Sequence, residues 1–266
     1  MSRHPATARL YGVVHSHQIN ARPDRSCHSI VTDPTFMTDP ARRNLLQQVM
    51  GAAALLAVRS SHASNQAPAD DLLAKARALL TGLHAPELTP FLKKWPARSE
   101  RRIAPPSSVP VLRWLPHIQQ SAPTFSAPLI NALAAAAPSL AWRRSYSVAA
   151  VGAQFYENYG WTEFAGLTGP VPSKHLACGV LLLGPHVTYP AHRHEADEIY
   201  VPLAGKAAWK HGQDRWRERL PGSVIHHARY EPHAMQTGQE PLLALYLWRS
   251  GNLDQGSRLD PVPVST

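Results

Sequence analysis

Cysteine is almost missing: the 266-residue chain has only Cys27 and Cys178, which excludes a disulfide framework and a thiolate zinc cluster. Dense basic runs are missing too. The formal net charge is +9, but the cations come as scattered residues and pairs such as Arg101-Arg102 and Arg143-Arg144. Neutralising a phosphate backbone needs a continuous basic stripe, so no nucleic-acid partner is expected. No apolar run reaches the roughly 20 residues of a membrane span, so no integral membrane segment is expected.

What is present is enough apolar residue, 44%, for one substantial core or a core with a helical annex. Twenty-five prolines predict short, interrupted elements. Fifteen histidines make imidazole the abundant ligand for a borderline metal.

Residues 1–69 read as a disordered or signal-bearing segment, and the first 36 of them show neither helical nor strand periodicity. Within them a second start, Met37, leads into "MTDPARRNLLQQVMGAAALLAVRSSHA". Arg42-Arg43, about fifteen uncharged residues from Asn44 to Val58, and the small pair Ser61/Ala63 resemble a twin-arginine export signal cleaved before Ser64. The competing reading is an ordinary helix packing through Leu45, Leu46, Val49 and Leu55. Cytoplasmic and periplasmic locations both stay open. Residues 70–145 predict a helical region: "DDLLAKARALLTGLHA" spaces Leu72, Leu73, Ala76, Leu79, Leu80 and Leu83 helically, and "LTPFLKKW" and "APLINALAAAAPSLAW" continue the character. Residues 146–256 predict an antiparallel β-barrel, from "HLACGVLLLG", "DEIYVPLAGKAAWKHG", "DRWRERL", "GSVIHHAR" and "PLLALYLWRSG". Residues 257–266 read as a polar tail.

The chemistry concentrates in "YPAHRHEADEIYVPLAG", residues 189–205. His192 and His194 differ by two and share one strand face, as do Glu198 and Tyr200 on the next strand. Downstream, "EPHAM" delivers His233. Three imidazoles and a carboxylate converging inside a barrel make a divalent-metal site with open positions. His186, His211, His226 and His227 read as ordinary structural histidines. Trp209, Trp216, Trp248, Tyr159, Trp161 and Tyr246 read mostly as core, with one or two facing a pocket. Glu195 and Asp197 are expected in a solvated turn.

The spacing His192-x-His194-x3-Glu198-x6-Gly205 matches the first cupin motif, and Pro221-Gly222 with His233 resembles the second, implying a mainly β, jelly-roll cupin preceded by helices. The fuller pattern "YPxHxHxxxEIYxxLAG" with "PHAM" resembles the bacterial dimethylsulfoniopropionate lyases, whose barrel also follows helices. That resemblance implies His192, His194, Glu198 and His233 as ligands of one divalent transition metal (Fe, Mn, Ni or Zn). It implies Tyr200 as general base or metal-bound tyrosine, and Tyr189 as a substrate-positioning residue. The implied reaction is β-elimination of a small sulfonium carboxylate to dimethyl sulfide and acrylate. A base is required, and a tyrosine serves only if its pKa drops from about 10 towards neutrality, a shift of about 4 kcal/mol that a nearby cation can supply. An aromatic face would attract the sulfonium. A cupin dioxygenase or isomerase, and a non-catalytic cupin sensor, remain the alternatives at this stage, because fold alone does not decide function. A homodimer is left open.

Overall fold

Leu72, Leu73, Ala76 and Leu80 are buried along one side of the first helix, α1 (residues 68–82), while Asp71 and Arg77 on the other side are exposed. Pro68 starts it, where a missing N–H costs nothing. The structure is a computed structural model describing residues 68–96 and 101–261, all within the unit Ala53–Thr266. The Met37 start, the twin arginine and the Ala63/Ser64 junction lie outside the described residues. Helices α2 (Thr89–Leu92), α3 (Leu115–Gln120) and α4 (Ala127–Ala136) each carry proline in their first turn. The prolines therefore punctuate a helical region rather than prevent one. Helix α5 (Val148–Glu157) is broken at Gly152, whose φ of 77° an L side chain rarely adopts. No helix among the described residues is long and apolar enough to cross a membrane.

Eleven strands follow among the described residues. β1 (Tyr159–Gly166), β2 (Val171–Pro172), β3 (Leu176–Leu183), β5 (Asp197–Ala204), β8 (Ile225–His227) and β10 (Leu242–Arg249) form one sheet, ordered β2-β1-β3-β10-β5-β8. β4 (Thr188–Arg193), β6 (Ala207–His211), β7 (Arg217–Arg219), β9 (His233–Thr237) and β11 (Arg258–Leu259) form the other, ordered β11-β4-β9-β6-β7. β11 lies inside the segment read as a tail, where Leu259 pairs with His192.

The central strands of the larger sheet are buried on both faces, which is why they read as nearly continuous apolar runs. Val180, Leu182, Val201, Leu203, Leu243 and Leu245 point outwards and share one core with Leu72, Phe91, Ile118 and Leu133 of the helices. Each such side chain buried contributes about 1.5–3 kcal/mol, so the helices are the cover this sheet requires. The alternate residues, among them Leu181, Tyr200, Ala244 and Tyr246, face inwards with Tyr189, Trp209 and Met235. Gly179 makes room for one of them: a Cβ there would stand 2.7 Å from the Tyr246 hydroxyl and 2.1 Å from Thr162 O.

Two expectations are corrected here. Trp216 is 41% exposed rather than core; it precedes the short edge strand β7, outside the paired region. Asp197 is not in a solvated turn. It opens β5, is buried, and accepts from Arg249 on β10 at 2.5 Å and His226 on β8 at 2.6 Å. Asp197→Ala should lower unfolding free energy by about 1–3 kcal/mol. That is less than a fully buried pair costs, because the side chains of Arg249 and His226 keep 29% and 43% exposure. An unchanged denaturation midpoint would show the bridge to be inert.

Candidate metal centre

Inward-facing residues of both sheets meet at one place. On β4 the register shifts between Tyr189 and His192, so residues three apart both point inwards. Tyr189 therefore faces inwards and stacks on His192 with ring centroids 3.9 Å apart. His192 is opposite His233 in the β4–β9 register. His194 follows the end of β4, and Glu198 reaches across from β5 of the other sheet.

Glu198 is fully buried and sits at the centre of the group. Its Oε2 lies 2.9 Å from His194 Nε2 and 3.1 Å from His233 Nε2, while Oε1 accepts from Trp248 Nε1. Burial alone would push the Glu198 pKa up, but the His194 and His233 contacts reverse this and hold it well below the usual carboxylate range. Burial likewise pulls His194 down, and the charge and hydrogen bond of Glu198 outweigh it, leaving His194 raised. His192 has no such bond to a carboxylate, so burial, helped by His233, keeps its pKa well below 6.5.

The three imidazoles share one supporting pattern. Nδ1 of His192, His194 and His233 each lies 2.9 Å from a backbone carbonyl, of Pro190, Ala196 and Glu231 respectively. A carbonyl only accepts, so Nδ1 carries a proton and Nε2 is the atom left available to a ligand, the support typical of metal-binding histidines. The donor atoms of His194, Glu198 and His233 all lie within 4.8 Å of one another. His192 stands beside this trio, edge to face with His233 at 4.1 Å, rather than within it. His233 Nε2 is buried and too poorly aligned with Glu198 to be satisfied by it. An unsatisfied nitrogen, a buried carboxylate and imidazoles fixed with Nε2 as donor fit a divalent cation.

Next to the trio is a cavity of about 200 Å³. Of the sequence-predicted site residues, Tyr189, His192 and Tyr200 line it, with Tyr159, Trp161, Tyr246, Trp248 and Glu163. Tyr200 is held well above the usual phenol range, by burial first and then by the negative charge of Glu198. Tyr189 is raised by burial and by neighbouring phenols; its hydroxyl lies 3.0 Å from that of Tyr146 and 3.5 Å from that of Tyr159. Sequence reasoning passed over Glu163, which bonds Thr168 N and Gly169 N at 2.7 and 2.8 Å and whose pKa burial raises. It also underrated His227, which is completely buried against His233. A lone glutamate in "WTEF" and a histidine in "VIHH" carry no spacing signal.

A two-sheet jelly roll that holds histidine and glutamate donors on its inner wall is a cupin. The family profile of dimethylsulfoniopropionate lyases matches residues 87–244. Dimethylsulfoniopropionate lyase DddQ of Ruegeria pomeroyi is 35% identical over 131 residues, 49% of this chain and 65% of that protein. The aligned part is thus slightly under two thirds of that relative's length. A solved structure from work on the dimethylsulfoniopropionate lyases RdDddP and RnDddQII superposes with a TM-score of 0.66 at 32% identity, covering 74% of this chain and all of that one. The crystal structure of the R. pomeroyi DddQ superposes at 0.63 with 29% identity, covering 72% of this chain and 95% of that one. The chain belongs to the dimethylsulfoniopropionate lyase family.

Proposed function

We propose that this chain is a metal-dependent lyase that cleaves dimethylsulfoniopropionate by β-elimination to dimethyl sulfide and acrylate. The observation that carries the reading is the buried Tyr200 phenol beside Glu198 of the donor trio, facing a small aromatic cavity with a carboxylate in its wall. His194, Glu198 and His233, with His192 as fourth ligand, would hold one divalent first-row ion. When bound, that ion supplies positive charge for the substrate carboxylate and withdraws electron density from the α-carbon. Tyr200 takes the α-proton as phenolate. The C–H electrons become the C=C bond, the C–S bond breaks, and its pair leaves on neutral sulfide, so no acid is needed for the leaving group. Tyr189 positions the substrate from the wall opposite, its hydroxyl already engaged by Tyr146 and Tyr159.

Trp161, Tyr246 and Trp248 offer π faces to the sulfonium, and Glu163 offers an opposite charge. Glu163 is costly to the fold when ionised. Its folded pKa is raised above 4.5, so its contribution to stability is complete below that pH and is lost as pH rises through the folded value. Glu163→Gln keeps an acceptor for Thr168 and Gly169 while removing the charge. Its melting temperature should gain on the parent's as pH rises from 4 to 7, while KM for the sulfonium substrate rises about tenfold with kcat less affected, ~1.4 kcal/mol of binding. A pH-independent stability difference with unchanged KM would assign Glu163 a purely structural place.

Headspace gas analysis tests the reaction itself. Purified protein given dimethylsulfoniopropionate should release dimethyl sulfide without oxygen. Oxygen consumption, or binding without turnover, would overturn the lyase reading.

A further inference from the structure

A second cluster in the barrel is not used by the chemistry above. His227 on β8 is fully buried, and neither ring nitrogen has a hydrogen-bond partner. Such groups forfeit about 1–3 kcal/mol each, and native interiors retain them where something binds them. His211, at the end of β6, lies ring to ring with His227 at 4.4 Å, and its Nε2 is also buried and unpartnered. Glu231 completes the group, with Oε1 3.6 Å from His211 Nδ1. Its Oε2 accepts from Ala228 N–H at 2.8 Å, which fixes the carboxylate.

The donor atoms of His211, His227 and Glu231 all lie within 4.8 Å of one another. Small side-chain adjustments bring such a spacing to the roughly 2.0–2.2 Å bonds of imidazole and carboxylate to a transition ion. None of the three belongs to the His194–Glu198–His233 trio. His233 separates the groups: its ring stacks on His227 at 4.0 Å while its Nε2 is near Glu198.

We propose that His211, His227 and Glu231 form a second, independent site for one divalent first-row transition ion, a two-histidine, one-carboxylate set with a coordination position left open. The ion satisfies the stranded imidazoles together. The site meets solvent, since the side chains of His211 and Glu231 keep 21% and 33% exposure, whereas every donor of the trio is buried.

The test is a zinc titration of the untagged, chelator-stripped full chain, followed by equilibrium dialysis and elemental analysis. One equivalent should be lost, or bound at least about tenfold more weakly, in His211→Asn and Glu231→Gln, and retained in His194→Ala. Glu231→Gln keeps the acceptor for Ala228 N–H, so it reads the site even if His211→Asn does not fold. An unchanged zinc isotherm in Glu231→Gln and in folded His211→Asn would overturn the proposal. Loss of lyase activity in His194→Ala bears only on the trio, so the two sites fail separately.

Discussion

His194→Ala and His233→Ala should each leave only a small fraction of the parent's divalent metal on the purified protein, and dimethyl sulfide release should fall by about 10³-fold or more. A bound cation supplies several kcal/mol of charge stabilisation to such an elimination, and every 1.36 kcal/mol is tenfold in rate. The loss is steep because the trio is small and closed. Removing His194 takes away the strongest partner of Glu198, whose buried carboxylate is held ionised by His194 and His233 against the pull of burial. The variant therefore also loses stability, and metal must be counted per folded molecule. His192→Ala belongs to the same class if His192 is the fourth ligand. Full metal stoichiometry in that variant alone would reduce the centre to the trio, whereas full stoichiometry in His194→Ala or His233→Ala would remove the centre as drawn.

The residues of the candidate centre could be picked from the sequence because strand geometry repeats every two residues. His192/His194 and Glu198/Tyr200 each share a face whatever the strands pair with. The partners of a strand are not so encoded. Asp197 lies one residue from Glu198, so period two places it on the other face, yet its burial depends on β5 lying between β10 and β8, which brings Arg249 and His226 to it. The same pairing sets His227 opposite Glu198 and turns an unremarkable strand histidine into a buried one. Strict alternation would put Tyr189, three residues before His192, on the opposite face, and only the irregularity around Pro190 turns it inwards. Trp216 went astray the other way: a large apolar residue is a core candidate by chemistry, but an edge position gives it nothing to be buried against. The helical character of residues 70–145 was visible in leucine spacing and composition. The reason for it lies in the barrel, whose central strands are apolar on both faces and need an outer layer.

Tyr200→Phe should lower turnover by about 10²–10⁴-fold, the range attributed to a positioned general base, with the fold and most of the metal retained. The ring's packing on Trp209, centroids 5.1 Å apart, survives the change, and only the phenolic oxygen is lost. Tyr200 and Tyr189 are both buried phenols with strongly raised pKa values, but different neighbours hold them there. For Tyr189 the electrostatic causes are other tyrosines, Tyr159, Tyr146 and Tyr200, rather than a carboxylate of the trio. For Tyr200 the largest cause after burial is Glu198. A cation held by Glu198 would offset its charge and so remove part of what opposes the Tyr200 phenolate. Tyr189→Phe should accordingly cost less in kcat than Tyr200→Phe and show more of its effect in KM. A merely structural Tyr200 would lose about 1 kcal/mol of stability with the buried hydroxyl and keep its rate per folded molecule. Near-parental dimethyl sulfide release from Tyr200→Phe, with metal intact, would eliminate Tyr200 as the base and pass the role to Tyr189, the other phenol of the predicted pair in the same cavity.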